Sequence, residues 1–121
     1  MKDYQAKNIR NLSVVGHGSE GKTTLVEALL FTAGAIDRQG RVEDGSTTTD
    51  YDPEEIRRQI SISASVAPLE YKGCKINVLD TPGSVDFSGA VMEALRAADA
   101  AVIVCSAKDG ITAGLERAWK Y

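Results

Sequence analysis

Gly16-His17-Gly18-Ser19-Glu20-Gly21-Lys22-Thr23 fits the spacing GxxxxGK[ST]. Glycines let a backbone wrap a polyphosphate, so that successive N–H groups and the N-terminus of a following helix point at it. In such a cradle Lys22 reaches the β/γ oxygens and the Thr23 hydroxyl can hold Mg²⁺. We therefore take residues 16–23, with the adjoining Thr24, as a candidate phosphate site.

A second group complements the first. Asp80 ends an apolar run and is followed by Thr81-Pro82-Gly83. A carboxylate there can bind Mg²⁺ through water, and the Gly83 N–H can sense a γ-phosphate. Asp-Thr-Pro-Gly is also a good turn in its own right; its pairing with the Gly-rich loop favours the functional reading. A third metal donor is expected from the segment between the two groups. Ser61 is the first choice because it lies where a long loop joins a strand, with Thr47, Thr48 and Thr49 as alternatives.

These residues need a scaffold of strands and helices. Leu12 to Val15 reads as a strand running into the Gly-rich turn. Lys22 to Ala33 reads as an amphipathic helix, with Leu25, Val26, Leu29, Leu30 and Ala33 at helix spacing and Gly34 as its stop. Residues 37–59 show neither period and read as a loop, long enough to be functional. Ile60 to Tyr71 and Cys74 to Leu79 read as two strands joined at Lys72-Gly73, an antiparallel hairpin. Val85 to Ala98 places Val85, Gly89, Met92, Leu95 and Ala98 on one helical stripe. Ala100 to Cys105 reads as a strand covered on both faces. Ile111, Leu115, Ala118 and Trp119 then follow helix spacing, with Trp119 expected to face the core. The whole predicts an α/β fold with a mostly parallel sheet and an antiparallel hairpin at one edge. Both Gly-bearing turns fall at the carboxyl ends of strands, where such sheets bind ligands.

Composition narrows the options. The chain has 121 residues, 43% apolar and 26% charged, as in ordinary globular proteins. The net charge of −3 gives no direct nucleic-acid or membrane signal. Residues 37–59 hold seven acids against four arginines, and the rest of the chain balances. The excess therefore sits in the long loop, and segments that order around a γ-phosphate and its metal are a known switching device. Cys74 and Cys105 lie in apolar runs and lack metal spacing, so both are expected as buried thiols. No run approaches the ~20 apolar residues of a membrane span, and the polar first residues hold no signal-peptide core. A cytoplasmic location is expected.

GHGSEGKTTLVEALLFTAGAI, GRVEDGSTTTDY, RRQISISAS, DTPGSVDFSGAV and AADAAVIVCSAKDGI together resemble translational GTPases, most closely the elongation factor G branch and its ribosomal-protection relatives. The resemblance runs through essentially the whole chain. It implies a P-loop NTPase fold, with residues 1–121 forming the N-terminal part of a GTP-binding (G) domain truncated at its C-terminus. It makes residues 37–59 a candidate first switch, carries the metal-binding hydroxyl onto Ser61, and places the second switch on Asp80 to Phe87. The ligands it implies are GTP or GDP with Mg²⁺, and the partner of the full-length protein is the ribosome.

Departures from the family pattern carry information too. The family's His, which helps position the attacking water, is replaced by Ser84; Ser19 stands for a frequent Asp, and Gly18 for a bulky apolar residue that partners Ile60. Ser84 is short and uncharged, and electrostatic assistance at this point is often worth several kcal/mol. The resemblance thus implies a divergent paralogue with slow or differently assisted hydrolysis, its catalytic positions being Ser84, Lys22 and Gly83. Ser106-Ala107-Lys108 resembles a guanine-contacting triplet but directly follows a strand and reads as a loop. A base-reading Asn-Lys-x-Asp does not occur before Tyr121, so guanine recognition rests on the resemblance. Two rival readings are a nucleotide-dependent binding module with negligible hydrolysis and an ATP-binding P-loop protein.

Overall fold

A computed structural model describes residues 2–121. Strands β1 (Ile9–Gly16), β2 (Ser65–Tyr71), β3 (Cys74–Asp80) and β4 (Ala100–Val104) form one sheet in the order β2-β3-β1-β4. β1 runs parallel to both β3 and β4, while β2 pairs antiparallel with β3. The hairpin turn takes Lys72 and Gly73 at positive φ, the geometry that matches strand twist in two-residue connections. Pro68 lies in β2, an edge strand where its missing N–H is tolerated.

Helix α1 (Lys22–Thr32) packs on β1, β2 and β3. Val26 and Leu30 meet Val14, Ala67, Leu69 and Val78 in the core, with Leu25, Leu29 and Ala33 packed around them. Burying each of the larger side chains contributes about 1.5–3 kcal/mol. Val15 and Leu79 alternate to the opposite face of their strands and are also buried. The centre of the sheet is thus closed just below the carboxyl ends of β1 and β3, which fixes the two loops emerging there.

Several sequence expectations are corrected. The acidic segment is not wholly irregular: α2 (Pro53–Arg58) lies within it. The Asp52 side chain accepts the Glu54 N–H at 2.8 Å, Pro53 opens the helix, and Gln59 closes it in the left-handed conformation. This start signal is present in Asp-Pro-Glu-Glu, but six residues are too few to display a period. β2 begins at Ser65 instead of Ile60, because the Glu55 carboxylate draws off the Ile62 N–H at 3.2 Å and Asp50 holds the Ser61 hydroxyl.

Helix α3 (Ser88–Ala97) buries Val91 and Ala94, leaving Met92 49% exposed. A 3-10 turn at Val85–Phe87 breaks the phase of the expected stripe, and Val85 is exposed. β4 is an edge strand with Ala100, Ala101 and Val102 exposed, not a strand covered on both faces. In α4 (Ala113–Lys120) the buried residue is Gly114, while Trp119 is 79% exposed and does not face the core. Cys105 is exposed and Cys74 half-buried, so neither is a fully buried thiol. No helix among the described residues is long and apolar enough to cross a membrane.

Candidate functional site

β1 ends at Gly16 and α1 begins at Lys22, so residues 17–21 must reverse the chain within a few residues. Ser19 and Gly21 do so at positive φ. Lys22 is buried at the helix start and donates Nζ to the His17 carbonyl at 2.6 Å across the loop. Burial lowers the Lys22 pKa, opposed by the nearby Asp80, Glu20 and Asp50 carboxylates. The ammonium is therefore poised over the cradle beside negative charge.

The second loop lies against the first. Thr81 Oγ1 donates to the Val14 carbonyl at 2.7 Å and anchors the turn to β1. A side chain at Gly83 would strike the Gly18 backbone and approach Lys22 Nζ, so only glycine allows this contact. His17 and Gly114 of α4 form another close approach: a Cβ at Gly114 would overlap His17. Glu20 links the same elements, accepting the His17 N–H at 3.2 Å and the Thr112 hydroxyl at 3.3 Å. α4 therefore braces the Gly-rich loop, a role that no periodicity in the sequence reveals.

Hydroxyls and carboxylates converge where the loops meet. Thr23 Oγ1 donates to Asp80 Oδ2 at 2.8 Å, and Thr49 Oγ1 donates to the same oxygen at 2.7 Å. Ser61 Oγ lies 3.1 Å from Thr23 Oγ1 and donates to Asp50 Oδ1 at 2.6 Å. The expected trio of Thr23, Ser61 and Asp80 is thus brought together, and Thr49 and Asp50 join it. Thr49 is one of the alternatives to Ser61 in the sequence, whereas Asp50 has no local signal to set it apart from the other acids of the loop. Burial raises the pKa of both Asp50 and Asp80, against the lowering effect of their hydroxyl donors.

Such a donor set fits a hard cation, which takes oxygen ligands and, in the case of Mg²⁺, usually one or two carboxylates with phosphates and water. Asp80 Oδ1 is buried with no hydrogen-bond partner, a valence that a cation or its water can satisfy. Among the described residues no cluster of three His, Cys, Asp or Glu side chains exists. A metal here would therefore rely on the Thr and Ser hydroxyls and on ligand phosphates. Thr23, Asp50 and Ser61 open onto a cavity of about 630 Å³ that Gly18, Lys22, Gly83 and Ser84 also line, a usual size for a small-molecule site. Gly16, Glu20 and Asp80 are absent from that lining, while Thr24 is part of it. Ser84 Oγ accepts the Asp86 N–H at 3.4 Å. Arg117 of α4, not anticipated from the sequence, lines the same cavity.

Comparison with known proteins places the chain in a family. The family described as the elongation factor Tu GTP binding domain matches residues 7–121. An elongation factor G-like protein of Mycobacterium tuberculosis (strain H37Rv) is 45% identical over 112 residues, covering 93% of this chain and 16% of its own length. Elongation factor G 2 of Borreliella burgdorferi is 41% identical over 113 residues, covering 93% of this chain and 17% of its own. A crystal structure of a Thermus thermophilus protein superposes with a TM-score of 0.90 at 50% identity, over 93% of this chain and 17% of that one. The chain therefore spans about one sixth of the length of the curated relatives it matches. With a family match from residue 7 onward and relatives above 40% identity, the chain belongs to the elongation factor Tu GTP-binding domain family, on its elongation-factor-G-like branch.

Proposed function

We propose that the cavity binds GTP with Mg²⁺ and that the full-length protein, a cytoplasmic translation factor, hydrolyses GTP when engaged with the ribosome. The observation that carries this reading is the convergence of Thr23, Thr49 and Ser61 hydroxyls on Asp80 and Asp50 beside Lys22. Backbone N–H groups of residues 18–23 would hold the phosphates, and Lys22 would neutralise the β/γ oxygens. Thr23, Ser61 and Asp80 would hold the metal, which when bound supplies positive charge to the phosphates. Gly83 would offer its N–H to the γ-phosphate. Ser84 stands where assistance to an attacking water is expected.

Ribosome-stimulated phosphate release by the full-length protein tests the hydrolytic part. Release above the ribosome-free rate supports it; release that stays at background removes it. In that event the reading becomes a nucleotide-dependent binding module. The specific observation favouring this second reading is Ser84, an uncharged side chain whose Oγ already accepts a backbone N–H.

A further inference from the structure

Glu27 is 1% exposed, inside α1 and one helical turn beyond Thr23. A buried carboxylate needs compensation, and among the described residues no salt bridge supplies it. Its partners are two backbone donors of the acidic loop: Gly40 N–H to Oε1 at 3.0 Å and Thr48 N–H to Oε2 at 2.9 Å. Between these anchors the loop is closed by its own bonds, Arg41 N–H to Ser46 Oγ at 3.0 Å and Ser46 N–H to the Arg41 carbonyl at 3.2 Å. A Cβ at Gly40 would run into the Ser46 carbonyl, so the two strands of this small loop touch at its base. One carboxylate therefore suspends residues 40–48 by both ends. The next residue is Thr49, whose hydroxyl reaches Asp80.

From this geometry we infer that Glu27 is a positioning residue that holds the loop of residues 37–59 closed over the cation site, and so sets the preference for a nucleoside triphosphate over a diphosphate. The inference rests on the GTP·Mg²⁺ reading above. Lys22 and the backbone of residues 16–23 lie outside the acidic loop, and the β-phosphate they would hold is common to both nucleotides. Thr49, next to the Thr48 anchor, reaches Asp80 from within the loop, and its neighbour Asp50 holds the Ser61 hydroxyl. A ligand that favours the closed state loses apparent affinity in proportion to the closed fraction, whereas one indifferent to the loop loses none.

Glu27→Gln in the full-length protein tests this, because it keeps the side-chain volume but turns an NH₂ group toward one of the two N–H donors. The ratio of affinities for a non-hydrolysable GTP analogue and GDP, measured with Mg²⁺, is expected to fall about tenfold, with GDP affinity nearly unchanged. Without nucleotide, trypsin cleavage after the exposed Arg41 is expected to quicken severalfold. An unchanged ratio overturns the inference, whether or not cleavage quickens, and so does a parallel loss of both affinities, which would mark a merely structural residue. If the unmodified protein binds neither nucleotide, the GTP reading fails; unchanged cleavage in the variant would then overturn the tether itself.

Discussion

Thr23 Oγ1 and Thr49 Oγ1 donate to the same atom, Asp80 Oδ2, at 2.8 and 2.7 Å. One donor comes from the Gly-rich loop's helix and the other from the acidic loop, so this oxygen joins three segments far apart in sequence. Its companion Oδ1 is buried and unpartnered.

Asp80→Asn follows directly. Replacing the carboxylate removes the cost of a buried, half-compensated charge, while its amide oxygen can still accept from Thr23 and Thr49. The metal-free variant is expected to melt within about 1 kcal/mol of the parent, but to lose the extra stabilisation that Mg²⁺ with GTP gives. Thermal melts with and without both ligands check this. A variant stabilised as much as the parent would mean that Asp80 does not serve the metal.

Binding of Mg²⁺ should depend on pH in a defined direction. Asp50 and Asp80 titrate above the ordinary carboxylate value of 3.8 because burial disfavours their charge. Between that value and the raised one the folded protein holds more protons than the unfolded chain, so their contribution to stability falls as pH rises through the window. A cation must displace those protons, so apparent Mg²⁺ affinity rises through the same window and levels off above it. Lys22, lowered from 10.5, makes stability rise as pH climbs from its native value toward 10.5. Titration of the nucleotide complex with Mg²⁺ at stepped pH checks the first statement; affinity independent of pH across the window would contradict it.

Two glycines should resist alanine for steric reasons. At Gly83 the new methyl meets the Gly18 backbone, and at Gly114 it meets His17. Each substitution is expected to cost about 1–3 kcal/mol in chemical denaturation. Gly83→Ala should in addition weaken triphosphate binding, because it pushes on Lys22 Nζ. Full stability in either variant would show that the contact relaxes freely.

These two glycines differ in how far the sequence exposes them. Gly83 stands in a motif with a chemical meaning, and the strand, loop and helix around residues 9–32 follow from periodicity and spacing. Gly114 acts only through α4 folding back on His17, a tertiary contact without local pattern. The same holds for Asp50, one acid among seven until Ser61 is brought to it. Met92 and Trp119 depart from expectation because apolar spacing says that a face exists, not whether anything covers it.

Ser84 carries no charge, and the cation lining that cavity from α4 is Arg117. Ser84→His in the full-length protein is expected to raise ribosome-stimulated phosphate release by about tenfold or more, whereas Arg117→Gln should lower the residual rate. Single-turnover assays separate the two. A histidine variant no faster than the parent would show that Ser84 does not limit phosphate release.

GTP with Mg²⁺ is the ligand pair proposed for this cavity, and the predictions on metal binding, triphosphate binding and phosphate release depend on it. Calorimetric titration of the full-length protein with GTP, in Mg²⁺ and again in chelator, with ATP as competitor, tests it most directly. The prediction is that GTP binds, that Mg²⁺ tightens the binding, and that excess ATP leaves the complex in place. Displacement by ATP, or an affinity for GTP indifferent to the metal, would contradict it.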